Sequence, residues 1–484
     1  MTRKVRPYLF YDTTSSVCSK CLRVVEAKIV FKDEHVFMDK WCPAHGTERV
    51  LMADDVEYYR QCREVFVKPP EMPNTFNTRM EYGCPYDCGL CPDHMQHSCL
   101  TILEVTDHCN LRCPVCYAGS GPDRPQYRSM AEIERMLDAL VANEGEADVV
   151  QISGGEPTLH PDFFAILDAA RAHRIRHLMV NTNGIRIAQD REFCARLSEY
   201  RQAFEVYLQF DSLRGEVLKQ LRGADLSRVR EQALAHLNEF DISTTLVVTL
   251  KKGANDDEVG EIIKHALAQR CVRGVTLQPI QDVGRVEDYD NVRNRLTVSA
   301  IRRRIAEQSD LFAAADIVPV PCNPDTLAMG YALKVDGSAV PLTRFLDPKA
   351  LVEGERSTIT FEHDGDLKDR VFKLFSTNHS PTSQANCLSE LMCCLPKINA
   401  PEGLNYRNVF RVLIVQFMDA MNLDIRALKK SCIHFVQPDG RLIPFESFNL
   451  FYRDERSNVL QTLRDEVKAA IKHRVASTLP RAFL

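Results

Sequence analysis

Tryptophan occurs once in these 484 residues, and no run of 18 or more apolar residues occurs at all. The most apolar stretch, "VFRVLIVQFMDAM" (409–421), reads as a short helix interrupted by Arg411 and Asp419, so no membrane span is expected. The opening "MTRKVRPYLFYDTTSS" has basic residues but neither an apolar core nor a small-residue cleavage site, and is read as no secretory leader. Basic charge is not in excess: 61 Lys and Arg against 66 Asp and Glu leave a net charge of −5, which argues against a nucleic-acid partner. Low-complexity segments and repeats of solenoid period are also missing. What remains, 45% hydrophobic and 26% charged, is an ordinary globular composition. The length exceeds what one core serves, so about two to four domains are expected.

Cysteine is the residue in surplus, with 18 copies gathered at short spacings. Without an export signal, and in a chain too long to need staples, metal ligation in a reducing cytosol is favoured over disulfides. Residues 1–70 carry "CSKC" (Cys18, Cys21) and "CPAH" (Cys42, His45) on either side of the hairpin-like "AKIVFKDEHVFMDK". Two such knuckles make a compact module for one tetrahedral iron or zinc. Cys62, in a helical pattern, could replace His45 but reads better as packing. Residues 71–100 hold Cys84, Cys88, Cys91 and Cys99, with Pro85, Gly89 and Pro92 to bend the loop. Four thiolates in this span read as a 4Fe–4S site, with a four-thiolate zinc site as the alternative. His94 and His97 read as surface or secondary groups. A third cluster, "VTDHCNLRCPVCYAGS" (105–120), has only Cys109, Cys113 and Cys116. A cubane normally uses four protein thiolates, so one iron would be left open.

From 101 to 315 the pattern becomes regular. "TILEVT", "ADVVQIS", "RHLMVNT", "FEVYLQF", "ISTTLVVTL" and "RGVTLQPI" are β-rich apolar runs separated by amphipathic segments such as "SMAEIERMLDALVANE". Six β/α repeats predict an α/β fold, a parallel sheet curved into a partial (β/α)6 barrel with its chemistry at the C-terminal strand ends. The three-cysteine loop follows the first strand and so falls at the reactive mouth. Polar residues end the other strands: Asn181, Thr182 and Asn183 the third, Gln209 and Asp211 the fourth, Gln278 the sixth. Residues 316–484 are mixed, with Asp–Gly hairpins at Asp336–Gly337 and Asp439–Gly440 and longer helices expected around 407–428 and 456–473. Cys322, Cys387, Cys393 and Cys394 are dispersed through this part, with Cys432 and His434 beside the second hairpin. Cys194 and Cys271 read as buried apolar residues.

The spacing Cys109-x3-Cys113-x2-Cys116 on the first strand of such a barrel resembles the radical S-adenosylmethionine (SAM) superfamily. There, the resemblance implies, SAM itself chelates the open iron and is cleaved to a 5′-deoxyadenosyl radical. "SGGEPTLHP" after the second strand supports it, since Gly154, Gly155 and Glu156 resemble the motif that contacts the methionine amino group. The glycines would let backbone approach the ligand closely. Asn181, Asn183, Gln209, Asp211 and Gln278 are candidates to hold SAM or substrate, or are plain strand-end turns. The family often has an aromatic just before the third cysteine to meet adenine; here that position is Val115, and Tyr117 follows instead. The knuckles, both cysteine segments and "CIHFVQPDGRLIPFESFNLFYR" together resemble the group typified by tetraether lipid synthase, which includes pterin methyltransferases. That likeness implies two auxiliary 4Fe–4S clusters, one on Cys84, Cys88, Cys91 and Cys99, the other on Cys322, Cys387, Cys393 and Cys394 with Cys432 in reserve, and one mononuclear iron or zinc. It also implies a low-potential electron donor such as ferredoxin or flavodoxin, and a lipid or other small-molecule substrate. The expected reaction is hydrogen abstraction from an unactivated carbon and C–C bond formation between lipid chains. Radical methylation of a pterin or similar heterocycle is the alternative, and a non-catalytic iron–sulfur electron carrier the reading from another class. The location expected is cytoplasmic, with a peripheral membrane contact left open.

Overall fold

The computed structural model describes residues 5–67, 71–335, 338–344, 409–454 and 456–478; Cys387, Cys393 and Cys394 lie outside the described residues. Strands Leu9–Val17, Val24–Lys32, His35–Cys42 and Gly46–Ala53 form an antiparallel ribbon in chain order. Alternation makes one face of it apolar. Ala27, Ile29, Val36, Met38 and Val50 pack against Tyr59 of helix Val56–Glu64, whose first turn is capped by Asp55. Buried Lys40 ties the ribbon to the rest of the chain. Its ammonium donates to Val17 O at 3.0 Å, Ala420 O at 3.0 Å and Met421 O at 2.8 Å, with Glu48 at 2.8 Å as counter-ion.

Six parallel strands follow, as the β/α pattern predicts: Leu100–Thr106, Ala147–Gly154, Ile175–Thr182, Phe204–Gln209, Thr244–Leu250 and Val272–Pro279. They neighbour one another in sequence order. Helix Met130–Glu144 shows why the connections fold locally: Ser129 and Glu132 form a capping box, and Ile133, Met136, Leu137 and Leu140 are buried. Among the described residues no helix is long and apolar enough to cross a membrane.

The C-terminal third joins the same sheet at both edges. Strand Val409–Val415 runs parallel to the sixth barrel strand and antiparallel to Leu327–Val335, while Ile433–Val436 runs parallel to the first strand and turns at Asp439–Gly440 into Leu442–Pro444. The helix expected over 409–421 is therefore a strand followed by a loop, with only Ile425–Leu428 helical beyond it. All seven residues of Val409–Val415 are buried, and a strand covered on both faces is apolar throughout, which mimics a buried helix. The helix expected around 456–473 is present as Arg456–Thr478.

Position along each strand sorts the lumen into layers. Val149, His177 and Arg411 lie low, Gln151, Met179, Thr276 and Leu413 in the middle, and Glu104, Ser153, Thr249 and Gln278 at the mouth. Arg411 did not interrupt an apolar face; it reaches Glu205 at 2.7 Å, with both side chains buried and His177 3.6 Å from the carboxylate. Burial pushes the Glu205 carboxyl up, but Arg411 and His177 overcome it and hold the group down at about 2. Arg411→Met should lower the unfolding free energy by about 3–5 kcal/mol, because it strands a buried carboxylate, and Arg411→Met combined with Glu205→Gln should recover most of that loss. Chemical denaturation of the three proteins checks this; a single variant as stable as the parent would show that the pair does not hold the floor.

Candidate active site and metal centres

The three-cysteine loop is fixed by hydrogen bonds that leave its sulfurs unused. Thr106 Oγ1 donates to Gln126 O at 2.6 Å and accepts from His108 N at 3.0 Å. Arg285 donates to Cys113 O at 2.6 Å and Ser120 O at 2.7 Å, and residues 115–116 pair with 285–286. Cys109 and Cys113 are buried and Cys116 half-buried. Burial pushes the Cys109 thiol up to about 12, so this sulfur becomes a thiolate only when a metal holds it.

Gly154, Gly155 and Glu156 do meet this loop, but through the protein's own backbone. Gly155 N donates to Thr106 O at 2.7 Å and Glu156 N to His108 O at 2.8 Å. A Cβ on Gly154 would lie 2.2 Å from Thr106 O, and one on Gly155 2.1 Å from His108 O. The glycines thus allow close approach to the cysteine loop. The Glu156 carboxylate is turned inward, accepting from Thr158 Oγ1 at 2.6 Å, Thr182 Oγ1 at 2.7 Å and Asn183 N at 2.8 Å. Fully committed within the chain, it positions the third strand end.

The other candidates line the mouth. Asn181 donates to Ser153 Oγ at 3.2 Å and accepts from Gln209 at 2.7 Å; Asn183 donates to Asn110 at 2.7 Å beside Cys109; Gln278 donates to Tyr207 at 3.2 Å. Asp211 is committed to Arg222 at 2.5 and 2.7 Å and so positions that side chain. Burial raises the Asp211 carboxyl, and the Arg222 guanidinium more than reverses it. Arg222 was not legible in the sequence, where it is the last residue of an unremarkable amphipathic helix, Gly215–Arg222. It also donates to Gln209 at 3.0 Å and Thr249 at 2.9 Å, and it lies against Cys113. Tyr117 turns its ring toward Phe445, 5.2 Å between centroids, with its hydroxyl 3.5 Å from Ser153.

Among the described residues three further sets of cysteines form. Cys18, Cys21, Cys42 and His45 bring their ligand atoms within 4.8 Å of one another at the tips of the ribbon. Cys21 Sγ lies 3.9 Å from Cys42 Sγ, and His45 Nδ1 lies 3.4 Å from Cys18 Sγ and 3.6 Å from Cys42 Sγ. Tetrahedral bonds of ~2.3 Å to sulfur and ~2.0 Å to nitrogen demand edges of roughly 3.5–3.8 Å, so the set fits one ion. Cys62 is elsewhere, buried beside Tyr58. Cys88 lies against Cys84, with Cys91 close by.

Cys99 leaves that group, contrary to its expected place as fourth ligand. It gathers with Cys322 and Cys432, all three sulfurs within 4.8 Å. The reason is strand pairing: Leu100 registers with Ile433 and its N–H donates to Cys432 O at 3.1 Å, which seats the preceding residues side by side. His97 Nε2 lies 3.6 Å from Cys99 Sγ, and His94 is buried against His434 at 3.1 Å, so His94 is no surface group. Cys194 and Cys271 are buried in the core, as expected.

The radical SAM superfamily model matches residues 103–266, and the model of the HMPTM N-terminal zinc ribbon domain matches residues 10–54. A 7,8-dihydro-6-hydroxymethylpterin dimethyltransferase of Methanocaldococcus jannaschii is 30% identical over 485 residues, covering 91% of this chain and 94% of that one. A mycofactocin maturase of Mycobacterium ulcerans is 32% identical over 193 residues, 39% of this chain and 49% of that one. Among solved structures, Streptococcus suis SuiB bound to S-adenosylmethionine aligns over 43% of this chain and 46% of its own, at 18% identity and a TM-score of 0.36.

If the cysteines partition as the fold places them, Cys99→Ser, Cys322→Ser and Cys432→Ser should each remove the same metal complement. Cys99→Ser with Cys432→Ser should remove no more than either alone, whereas Cys88→Ser with Cys432→Ser should be additive. Elemental analysis of anaerobically reconstituted protein decides it; additive loss for Cys99 and Cys432 would return Cys99 to the Cys84–Cys91 loop.

Proposed function

The chain belongs to the radical SAM superfamily, in the family of the pterin dimethyltransferase just described, and on that premise we propose that it methylates a reduced pterin by radical chemistry. The observation that carries this reading is the lumen mouth. Glu104, Ser153, Asn181, Gln209, Thr249 and Gln278 give the strand ends a ring of hydrogen-bonding groups, which suits a compact polar heterocycle and not an alkyl chain. The segment 409–421, read from the sequence as an apolar helix, begins instead with a wall strand of the sheet, Val409–Val415.

SAM and a reduced 4Fe–4S cluster, when bound, supply a 5′-deoxyadenosyl radical able to break an unactivated C–H bond. The chain's own contribution is positioning. Cys109, Cys113 and Cys116 would hold three irons, and the Gly154–Gly155 backbone keeps their loop against the barrel. Arg222 and Gln209, beside Cys113, offer donors for a carboxylate, and Asn181 and Asn183 offer amides for an ammonium or a ribose. The donor set therefore fits the cofactor. The ribbon would hold one zinc or iron away from the reacting atoms, and the Cys84–Cys88–Cys91 and Cys99–Cys322–Cys432 sets would hold further metal for electron transfer. A low-potential donor such as ferredoxin or flavodoxin would supply the electron.

Anaerobic enzyme supplied with reductant, excess SAM and 7,8-dihydro-6-hydroxymethylpterin should form 5′-deoxyadenosine in pterin-dependent amounts and a pterin heavier by one or two methyl groups. The SAM cleaved for hydrogen abstraction keeps its methyl on methionine, so each methyl comes from a second SAM, which leaves as S-adenosylhomocysteine while the reductant supplies the second electron. Cys113→Ala should abolish the cleavage while most other metal stays. Mass spectrometry reads both products. If pterin changes neither, while a lipid with deuterated chains passes deuterium to 5′-deoxyadenosine, the methylation reading is lost to the lipid one.

A further inference from the structure

The mouth holds one ion pair that neither the cofactor reading nor the fold accounts for. Glu104, from the first barrel strand, registers with Ser153 on the lumen side. Arg453, from the C-terminal segment, donates to Glu104 Oε1 at 2.9 Å and Oε2 at 3.2 Å, and to Asn449 Oδ1 at 2.7 Å through Nε. Both residues are buried, at 6% and 9% exposure. Such a pair is weak evidence of stabilisation, since removing two charges from water costs about what their attraction returns.

The pair is also unsaturated. Among the described residues three of the five Arg453 guanidinium N–H groups are used, leaving two donors, and both Glu104 oxygens keep lone pairs. Aromatic faces flank them: the guanidinium carbon lies 5.6 Å from the Tyr117 ring centroid, 5.3 Å from Phe435 and 4.8 Å from Phe448. Tyr117 directly follows Cys116, so this polar and aromatic corner adjoins the open cysteine loop.

We propose that Glu104 and Arg453 together recognise the amide edge of the substrate's 2-amino-4-oxopyrimidine ring, a specificity role resting on the pterin reading above. Glu104 accepts from the ring N3–H and the 2-amino group, and Arg453 donates to the 4-oxo oxygen. The flat ring lies between the aromatic side chains. A carboxylate and a guanidinium fixed side by side match that edge, with acceptors opposite its two donors and donors opposite its acceptor. A ring without the 2-amino group would leave Glu104 short of one partner.

The test compares binding of 7,8-dihydro-6-hydroxymethylpterin with that of its analogue bearing a 2-methyl in place of the 2-amino group. Anaerobic titrations would use the reconstituted wild type, Glu104→Gln, and the double variant Glu104→Met/Arg453→Met, which strands no charge. Iron content and SAM affinity serve as folding controls. Wild type should prefer the amino compound by roughly 10- to 100-fold. Both variants should lose that preference, the double variant binding the amino compound at least about 10-fold more weakly. A folded double variant that keeps the wild-type preference overturns the proposal alone. A wild type that binds neither pterin overturns this proposal and the methylation reading together.

Discussion

Leu100 donates its N–H to Cys432 O, and from that bond strand Ile433–Val436 runs parallel to the first barrel strand. This pairing joins residues more than 330 positions apart in the chain. It seats Cys99 beside Cys432, draws His434 onto His94, and brings the aromatic residues of the C-terminal hairpin up to Tyr117. A parallel partner needs a long crossover, and here the crossover is the whole barrel. The metal set at Cys99, the aromatic corner and the Glu104–Arg453 pair all depend on that one register, since a one-residue slip would turn every side chain to the other face.

At the opposite edge, strand Val409–Val415 closes against the sixth barrel strand. The C-terminal third therefore completes the sheet. The lumen it encloses is charged at the floor, mixed at mid-height and polar at the mouth. A buried ion pair below keeps the barrel a packed core there, while the half-committed groups above are the ones able to meet ligands.

The cysteine loop and the second strand end hold each other by backbone. Thr106 and His108 carbonyls accept from Gly155 and Glu156, and the space left for Cβ atoms is nil. Positioning of the three sulfurs is thus paid for by glycine and by an inward-facing Glu156, whose four hydrogen-bond donors come from its own turn and the third strand. A site built on strand ends this way is ordered before its cofactors arrive.

The sequence by itself determined what is local. Cys18, Cys21, Cys42 and His45 converge because two knuckles and a hairpin suffice, and the six β/α strands follow from period-2 and period-3.6 patterns over short windows. Cys109, Cys113 and Cys116 fall at the mouth for the same reason, since a loop after the first strand can be nowhere else. Tertiary structure decided what depends on partners far along the chain. "VFRVLIV" is equally a buried helix or a strand covered on both faces, and only its pairing with the sixth strand makes it the latter. Arg411 reads as an interruption until Glu205 is opposite it. Cys99 stands eight residues from Cys91 and was grouped with it by spacing, yet strand register gives it Cys322 and Cys432 instead. Arg222 and Arg453 carry no local signature, because a guanidinium becomes part of a site through what it faces, and what it faces is set by the fold.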